Sequence, residues 1–230
     1  IYPERARAPK AEVTRLAPSP TGFIHLGNLY SALADERSAH TTGGIFYLRI
    51  EDTDEKRRVD GAVESVIRSL NYFGINFDEG AEIDSPLNKY GPYYQRRRAE
   101  IYRAFAKRLI ERGLAYPCFC TEEELNAVRK EQTAGKKTTG YYGAYAKCRN
   151  LSEERIYANL AAGKPYVIRL KSQGSADNKI IFRDEIKGEV TVTENDQDVV
   201  ILKSDGIPTY HFAHAIDDHF IRTTLVIRAQ

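Results

Sequence analysis

Val13-Thr-Arg-Leu-Ala-Pro-Ser-Pro-Thr-Gly-Phe-Ile-His-Leu-Gly-Asn28 puts a strand, a stiff turn and a helix start in immediate succession. Val13 to Ala17 read as a short buried strand, stopped by Pro18 and Pro20, which lack the N–H a ladder needs. Thr21 and Gly22 turn the chain. Leu26, Leu29, Tyr30 and Leu33 then recur at helical spacing, predicting a helix to about His40. The unpaired N–H groups and positive dipole end of such a helix form an anion site. Gly27 lets a flat ring or a phosphate approach the backbone, and His25 can donate to phosphate oxygens. A surface turn with an incidental histidine explains this segment equally well.

On the carboxyl side of this stretch, Thr41-Thr-Gly-Gly44 ends the helix and Ile45 to Ile50 is a run of β-formers. Val59, Val63, Val66, Ile67, Leu70 and Phe73 predict a second helix closed by Gly74, and a third runs from about Gln95 to Arg112, before Gly113. This strand–helix–strand–helix order implies an α/β fold, a Rossmann-like parallel sheet with ligands at the carboxyl ends of its strands. Alternation along the second strand places Arg49 and Glu51 on one side at that mouth. The acidic residues of Arg49-Ile-Glu-Asp-Thr-Asp54 repel one another unless paired with Arg57, Arg58 or a cation; a solvated charged loop is the plainer alternative.

Around Tyr116 the texture changes. Thr121 and Glu124 form a capping box for a polar helix, followed by the basic loop Thr133-Ala-Gly-Lys-Lys-Thr-Thr-Gly140. Short β-like runs follow at 166–171, 179–182 and 189–193. An apolar strand pattern resumes from Asp198, then a helix-like stretch at 212–220 and a last strand at 224–228. Residues 1–115 thus read as the first part of an α/β domain, 116–199 as an insertion and 200–230 as the return. In the returning segment Tyr210 and His214 fall on one helical face. His211, His214 and His219 do not share a face, which argues against a metal there.

Apolar residues make up 42% of the 230-residue chain and charged residues 29%, an ordinary globular composition. The longest apolar runs are far short of the ~20 residues that span a membrane, and no charged-then-apolar leader precedes them. The chain begins at Ile1 without any methionine, which is not expected of a native start. Three cysteines argue against a disulfide framework and favour a reducing cytosol, hence a cytoplasmic protein. A net charge of +2 gives no general support for nucleic-acid binding, so any such surface is local.

Arg15-Leu-Ala-Pro-Ser-Pro-Thr-Gly22 with His25-Leu-Gly-Asn28, Arg49-Ile-Glu-Asp-Thr-Asp54, Ser204-Asp-Gly-Ile-Pro-Thr-Tyr-His211, and Phe212-Ala-His-Ala-Ile-Asp-Asp-His219 leading to Val226-Ile-Arg228 resemble bacterial glutamyl-tRNA synthetases, with His25 to Asn28 standing for the class I "HIGH" signature. The resemblance runs from about residue 12 to the end. It implies that Arg15 and Arg228 hold the carboxylates of glutamate, that Glu51 faces its amino group, and that Ser19, Tyr210 and His214 line the pocket; His214 stands where many relatives have asparagine. It implies that Thr21, His25 and Gly27 contact ATP, which comes with Mg²⁺, while Asn28 replaces the signature's final histidine. The implied reaction is activation of glutamate to glutamyl-adenylate, then transfer to the 3′ end of tRNA(Glu) by a monomeric enzyme. The family's lysine-rich "KMSKS" loop and anticodon-binding helices are expected beyond Gln230, so the chain alone is expected to be catalytically incomplete.

On the same resemblance, the insertion is the connective peptide that holds the tRNA acceptor end, with Lys136, Lys137, Arg149, Lys164 and Lys171 as candidate phosphate contacts; scattered solvated lysines remain an equal alternative for each. Cys118, Cys120 and Cys148 are similar to the zinc site of some family members, with Tyr145 as the fourth ligand, although Asn150 occupies a place where some relatives have histidine. Buried inert cysteines are the alternative. Three other functions remain open: a tRNA-modifying glutamyl-Q tRNA(Asp) synthetase, a nucleotidyltransferase with a similar His-x-Gly turn, and a non-catalytic zinc or RNA-binding module.

Overall fold

The computed structural model describes residues 2–20, 24–54 and 59–228. The chain divides into two compact units, residues 1–102 with 210–230, and residues 103–209. Thr21, Gly22, Arg57 and Arg58 lie outside the described residues.

In the first unit, β1 (Val13–Leu16), β2 (Ile45–Leu48) and the short β3 (Glu79–Gly80) form a parallel sheet with β2 in the centre. The crossovers are α1 (Leu26–Thr41) and α2 (Ala62–Tyr72). Gly44 makes the return from α1 possible, because a Cβ there would meet the Glu12 carbonyl oxygen at 1.8 Å. Strand alternation sorts the core. Leu16 and Phe46 pack with Ala32 and Ala39 of α1 and with Val66 and Leu70 of α2. Val13 and Tyr47 pack instead with Tyr93 and with Ile221 of the terminal helix. Arg49 shares the Tyr47 side by the period of two.

After Tyr94, which bridges Ile50, a short 3₁₀ turn leads into α3 (Ala99–Glu111), and the unit boundary falls within this helix. The second unit holds an antiparallel sheet of β4 (Ala115–Cys118), β5 (Val167–Leu170) and a later strand, together with α4 (Glu122–Ala134) and α5 (Glu153–Ala161). Thr121 caps α4 as expected: its hydroxyl accepts the Glu124 N–H at 3.3 Å, and the Glu124 carboxylate accepts the Thr121 N–H at 2.9 Å. A two-stranded hairpin, β6 (Lys179–Asp184) and β7 (Gly188–Thr193), precedes β8 (Val200–Leu202), which pairs with β5. Three of these elements were not expected: the two-residue β3, too short to show a period, β4, whose Pro117 is tolerated because β4 is an edge strand, and α5, whose cap is Ser152.

The chain returns to the first unit as α6 (Tyr210–Ile221). The strand expected at 224–228 does not form. That stretch runs beside the start of β1, with Thr224 and Leu225 N–H groups both directed at the Val13 carbonyl at 2.9 and 3.3 Å, so no alternating ladder develops. The N-terminal arm ties α6 down: Arg5 bridges both Glu79 carboxylate oxygens, at 3.1 and 2.7 Å, and the Ile221 carbonyl at 3.0 Å. No helix among the described residues is long and apolar enough to cross a membrane.

Candidate active site

Beyond β1 the backbone stays coupled to β2, the Arg49 N–H donating to Leu16 and the Glu51 N–H to Pro18, each at 3.0 Å. This brings the carboxyl ends of both strands, the start of α1, one face of α6 and the stretch after α6 around a cavity of about 520 Å³. Arg15, His25, Gly27, Asn28, Glu51, Tyr210, His214 and Arg228 all line it. Ser19 is exposed and is not among the lining residues, and Thr21 lies outside the described residues.

At the start of α1, His25 has an extended backbone and its carbonyl accepts the first helical bond from Leu29 at 3.1 Å. Asn28 reaches back, its side-chain oxygen accepting the His25 N–H at 3.5 Å. A Cβ on Gly27 would stand 3.1 Å from the His25 ring, so glycine here preserves the imidazole's position. The helix start thus lies at the cavity through His25, Gly27 and Asn28, an arrangement suited to a phosphate.

Another part of the lining is built from charge. Arg15, only 8% exposed, directs Nε and Nη2 at the two carboxylate oxygens of Asp218, both at 3.3 Å. Arg49 is fully buried and gathers four groups: Asp218 Oδ1 at 2.5 Å, His214 Nδ1 at 3.2 Å, Glu51 Oε1 at 3.5 Å and Asp217 Oδ2 at 3.8 Å. Burial alone would raise the Asp218 carboxyl, but Arg49 and then Arg15 outweigh it and hold the group below the ordinary carboxylate range. His214 Nε2 lies against Glu51, and the Tyr210 and His214 rings sit 4.0 Å apart, as their spacing on one helical face predicts. The neighbouring Asp217 is anchored inward by Gln95, Arg98 and Tyr102 at 3.0, 2.6 and 2.8 Å.

Asp35 also lines the cavity and was not anticipated. It is 1% exposed, and its Oδ1 has no hydrogen-bond partner among the described residues. Burial pushes its carboxyl up to about 7, with Arg15 pulling the other way. Asp35, Asp218 and the central role of Arg49 were all missed by sequence reasoning, since each acquires its meaning from partners far along the chain.

In the second unit the Cys118, Cys120 and Cys148 sulfurs all lie within 4.8 Å of one another, with Cys120 and Cys148 at 3.6 Å. The edge of a zinc–thiolate tetrahedron is about 3.8 Å, given Zn–S distances of ~2.3 Å, so the sulfurs fit that ion. The nearby phenol belongs to Tyr141, which corrects the expectation of Tyr145. The Tyr141 oxygen is 3.4 Å from the Cys118 sulfur and 3.2 Å from that of Cys120, and it accepts the Cys148 N–H at 3.0 Å. Gly143, at φ +52°, begins a turn that carries Tyr145 away to Lys137, whose ammonium donates to its hydroxyl at 3.1 Å. Hydrogen bonds from the neighbouring thiols push the Cys118 thiol down, while burial first pushes the Tyr141 phenol up.

The candidate basic contacts do not form one set. Lys136, Lys137 and Lys164 are exposed and Lys171 is half-buried. Arg149 is turned inward, paired with the buried Asp198 and donating to the Ser172 carbonyl at 2.7 Å. It is therefore part of the packing around Asp198.

Residues 12–230 match the model of the catalytic domain of class I tRNA synthetases (E and Q). The chain is 54% identical over its whole length to a glutamate–tRNA ligase of Acetivibrio thermocellus and 55% identical to one of Clostridium perfringens. It spans about 42% of the length of each of these relatives. A solved glutamate tRNA ligase from Elizabethkingia meningosepticum, in complex with its amino acid, superposes with a TM-score of 0.82 at 38% identity, over 94% of this chain and 43% of that one. The glutamate-tRNA synthetase of Elizabethkingia anophelis gives 0.80 at the same identity and coverage. With its parallel sheet, its cavity at the strand ends and these matches along nearly every residue, the chain belongs to the class I tRNA synthetases of the E and Q group, through their catalytic domain.

Proposed function

We propose that this chain carries the amino-acid and ATP half-site of a glutamate–tRNA ligase. The observation that carries the reading is the cavity that Arg15, Glu51, Tyr210, His214 and Arg228 line together with the start of α1. Two guanidinium groups suit the two carboxylates of glutamate, and Glu51 suits its ammonium. His25, Gly27, Asn28 and Thr21 belong to the ATP side, where the helix start and the imidazole favour phosphate. A carboxylate oxygen of glutamate attacks the α-phosphorus of ATP, and pyrophosphate leaves. A hydroxyl of the terminal tRNA ribose then attacks the acyl carbon, and AMP leaves. The attacking carboxylate is already ionised, so the protein's contribution is positioning and charge stabilisation. Mg²⁺ accompanies ATP and offsets phosphate charge.

Residues 116–199 act in this reading as the connective peptide for the acceptor end of tRNA(Glu), with exposed Lys136, Lys137 and Lys164 as phosphate contacts. The enzyme is a cytoplasmic monomer. The test is thermal stabilisation of the chain by a non-hydrolysable glutamyl-adenylate mimic. Selective stabilisation that Arg15→Ala abolishes supports the reading, whereas equal shifts with and without Arg15 contradict it.

Cys118, Cys120 and Cys148 hold zinc, with Tyr141 beside them as the fourth donor, an arrangement that staples the start of the insertion. Protein purified under reducing conditions and loaded with zinc is expected to retain about one ion per chain. Cys118→Ser releases it, and Tyr141→Phe weakens it. Failure to retain zinc after loading contradicts this assignment.

A further inference from the structure

Arg15 meets Asp218 through one particular edge. Nε and Nη2 each point to one carboxylate oxygen, which is the side edge of the guanidinium. A guanidinium has five N–H donors in a rigid plane, so this leaves the terminal edge, formed by Nη1 and Nη2, for a second planar anion. Among the described residues Arg15 donates its side-chain hydrogen bonds from Nε and Nη2 and none from Nη1, and the residue lines the cavity. Asp218 is fixed in turn from beneath. Arg49, with no exposure of its own, donates to Oδ1 at 2.5 Å, and Thr223 Oγ1 lies 3.4 Å from the same oxygen. Thr223 is itself held by the Tyr47 hydroxyl at 2.7 Å. The carboxylate thus has one oxygen tied to the core and both oxygens facing Arg15.

We propose that Asp218 is a positioning residue for amino-acid recognition: it holds the side edge of Arg15 so that the terminal edge is presented to a carboxylate of the bound amino acid. This rests on the reading of the cavity as a glutamate site. Without Asp218 the guanidinium keeps its charge but loses its fixed plane, and a bidentate contact depends on that plane. Asp218 therefore acts through Arg15, and its contribution should vanish when Arg15 is gone.

A double-mutant cycle read by titration calorimetry separates this from general damage. The probes are a glutamyl-adenylate mimic and ATP alone, on wild type, Asp218→Asn, Arg15→Ala and the double variant. Asp218→Asn is expected to weaken the glutamyl mimic at least tenfold, to leave ATP affinity unchanged, and to add nothing in the Arg15→Ala background. Asp218→Glu, which keeps the charge beside Arg49 but displaces the oxygens, is expected to retain the fold and still weaken the mimic several-fold. Unchanged affinity in both Asp218 variants, or equal losses with and without Arg15, overturns the proposal while the glutamate reading stands. A wild-type protein that binds the glutamyl mimic no better than ATP overturns the reading and the proposal together.

Discussion

Arg49→Met is expected to destabilise the first unit by about 3–5 kcal/mol, the cost of breaking a buried ion pair by removing one partner. The side chain is fully buried and stands among Asp217, Asp218 and Glu51. After its removal Asp217 keeps Arg98, Gln95 and Tyr102, but among the described residues Asp218 retains only the longer contacts to Arg15 and Thr223, and Glu51 is left with His214. Two carboxylates then remain under-compensated, Glu51 buried and Asp218 largely so. Methionine fills the volume, so the loss reflects charge and not a cavity. Because the chain has two compact units, the measurement is hydrogen exchange at β2 amides and not a single melting curve. A loss below about 1 kcal/mol would mean that the cluster is solvated and that Arg49 is dispensable.

Asp35→Asn should act in the opposite direction. The Asp35 carboxyl is raised from 3.8 to about 7 by burial. Between these values the unfolded chain has released the proton and the folded chain retains it, so stability falls as pH rises from about 4 and levels off above about 7. A rise of this size corresponds to about 4 kcal/mol of stability lost across that window. Asparagine cannot ionise, so the variant should lack this slope and be the more stable protein at pH 8. Urea unfolding of both proteins at pH 5 and pH 8 checks it. Parallel pH profiles for the two would show that Asp35 is not the group responsible.

Much of this molecule was legible because it is periodic. Leu16, Phe46, Val66 and Leu70 take their places in one core cluster as strand alternation and helical spacing require. The Thr121–Glu124 cap needs only four consecutive residues, and Tyr210 and His214 need one helical turn. The helix α5 had its own signals, Ser152 before two glutamates with Ile156 and Leu160 four apart, and Gly163 at φ +65° after its end. Pro117 hid β4, since an edge position that tolerates proline is visible only once the sheet exists.

The site is harder. Arg15, Glu51, Tyr210 and His214 could be named one by one, yet what fixes them is long-range: Arg49 and Asp218 are 169 residues apart and Arg15 and Asp218 are 203 apart. Nothing local marks Asp35 as buried or Asp218 as a partner of two arginines. Tyr141 and Tyr145 differ by a single turn at Gly143, so neither composition nor spacing could decide which phenol joins the thiols.

The decisive measurement is the affinity of the chain for a glutamyl-adenylate mimic against its glutaminyl counterpart, which differs only in replacing the side-chain carboxylate by an amide. The glutamyl compound is expected to bind at least tenfold more tightly, and Arg228→Ala or Arg15→Ala to remove most of that preference. Equal affinities for the two, unchanged in both variants, would overturn the assignment of this cavity to glutamate.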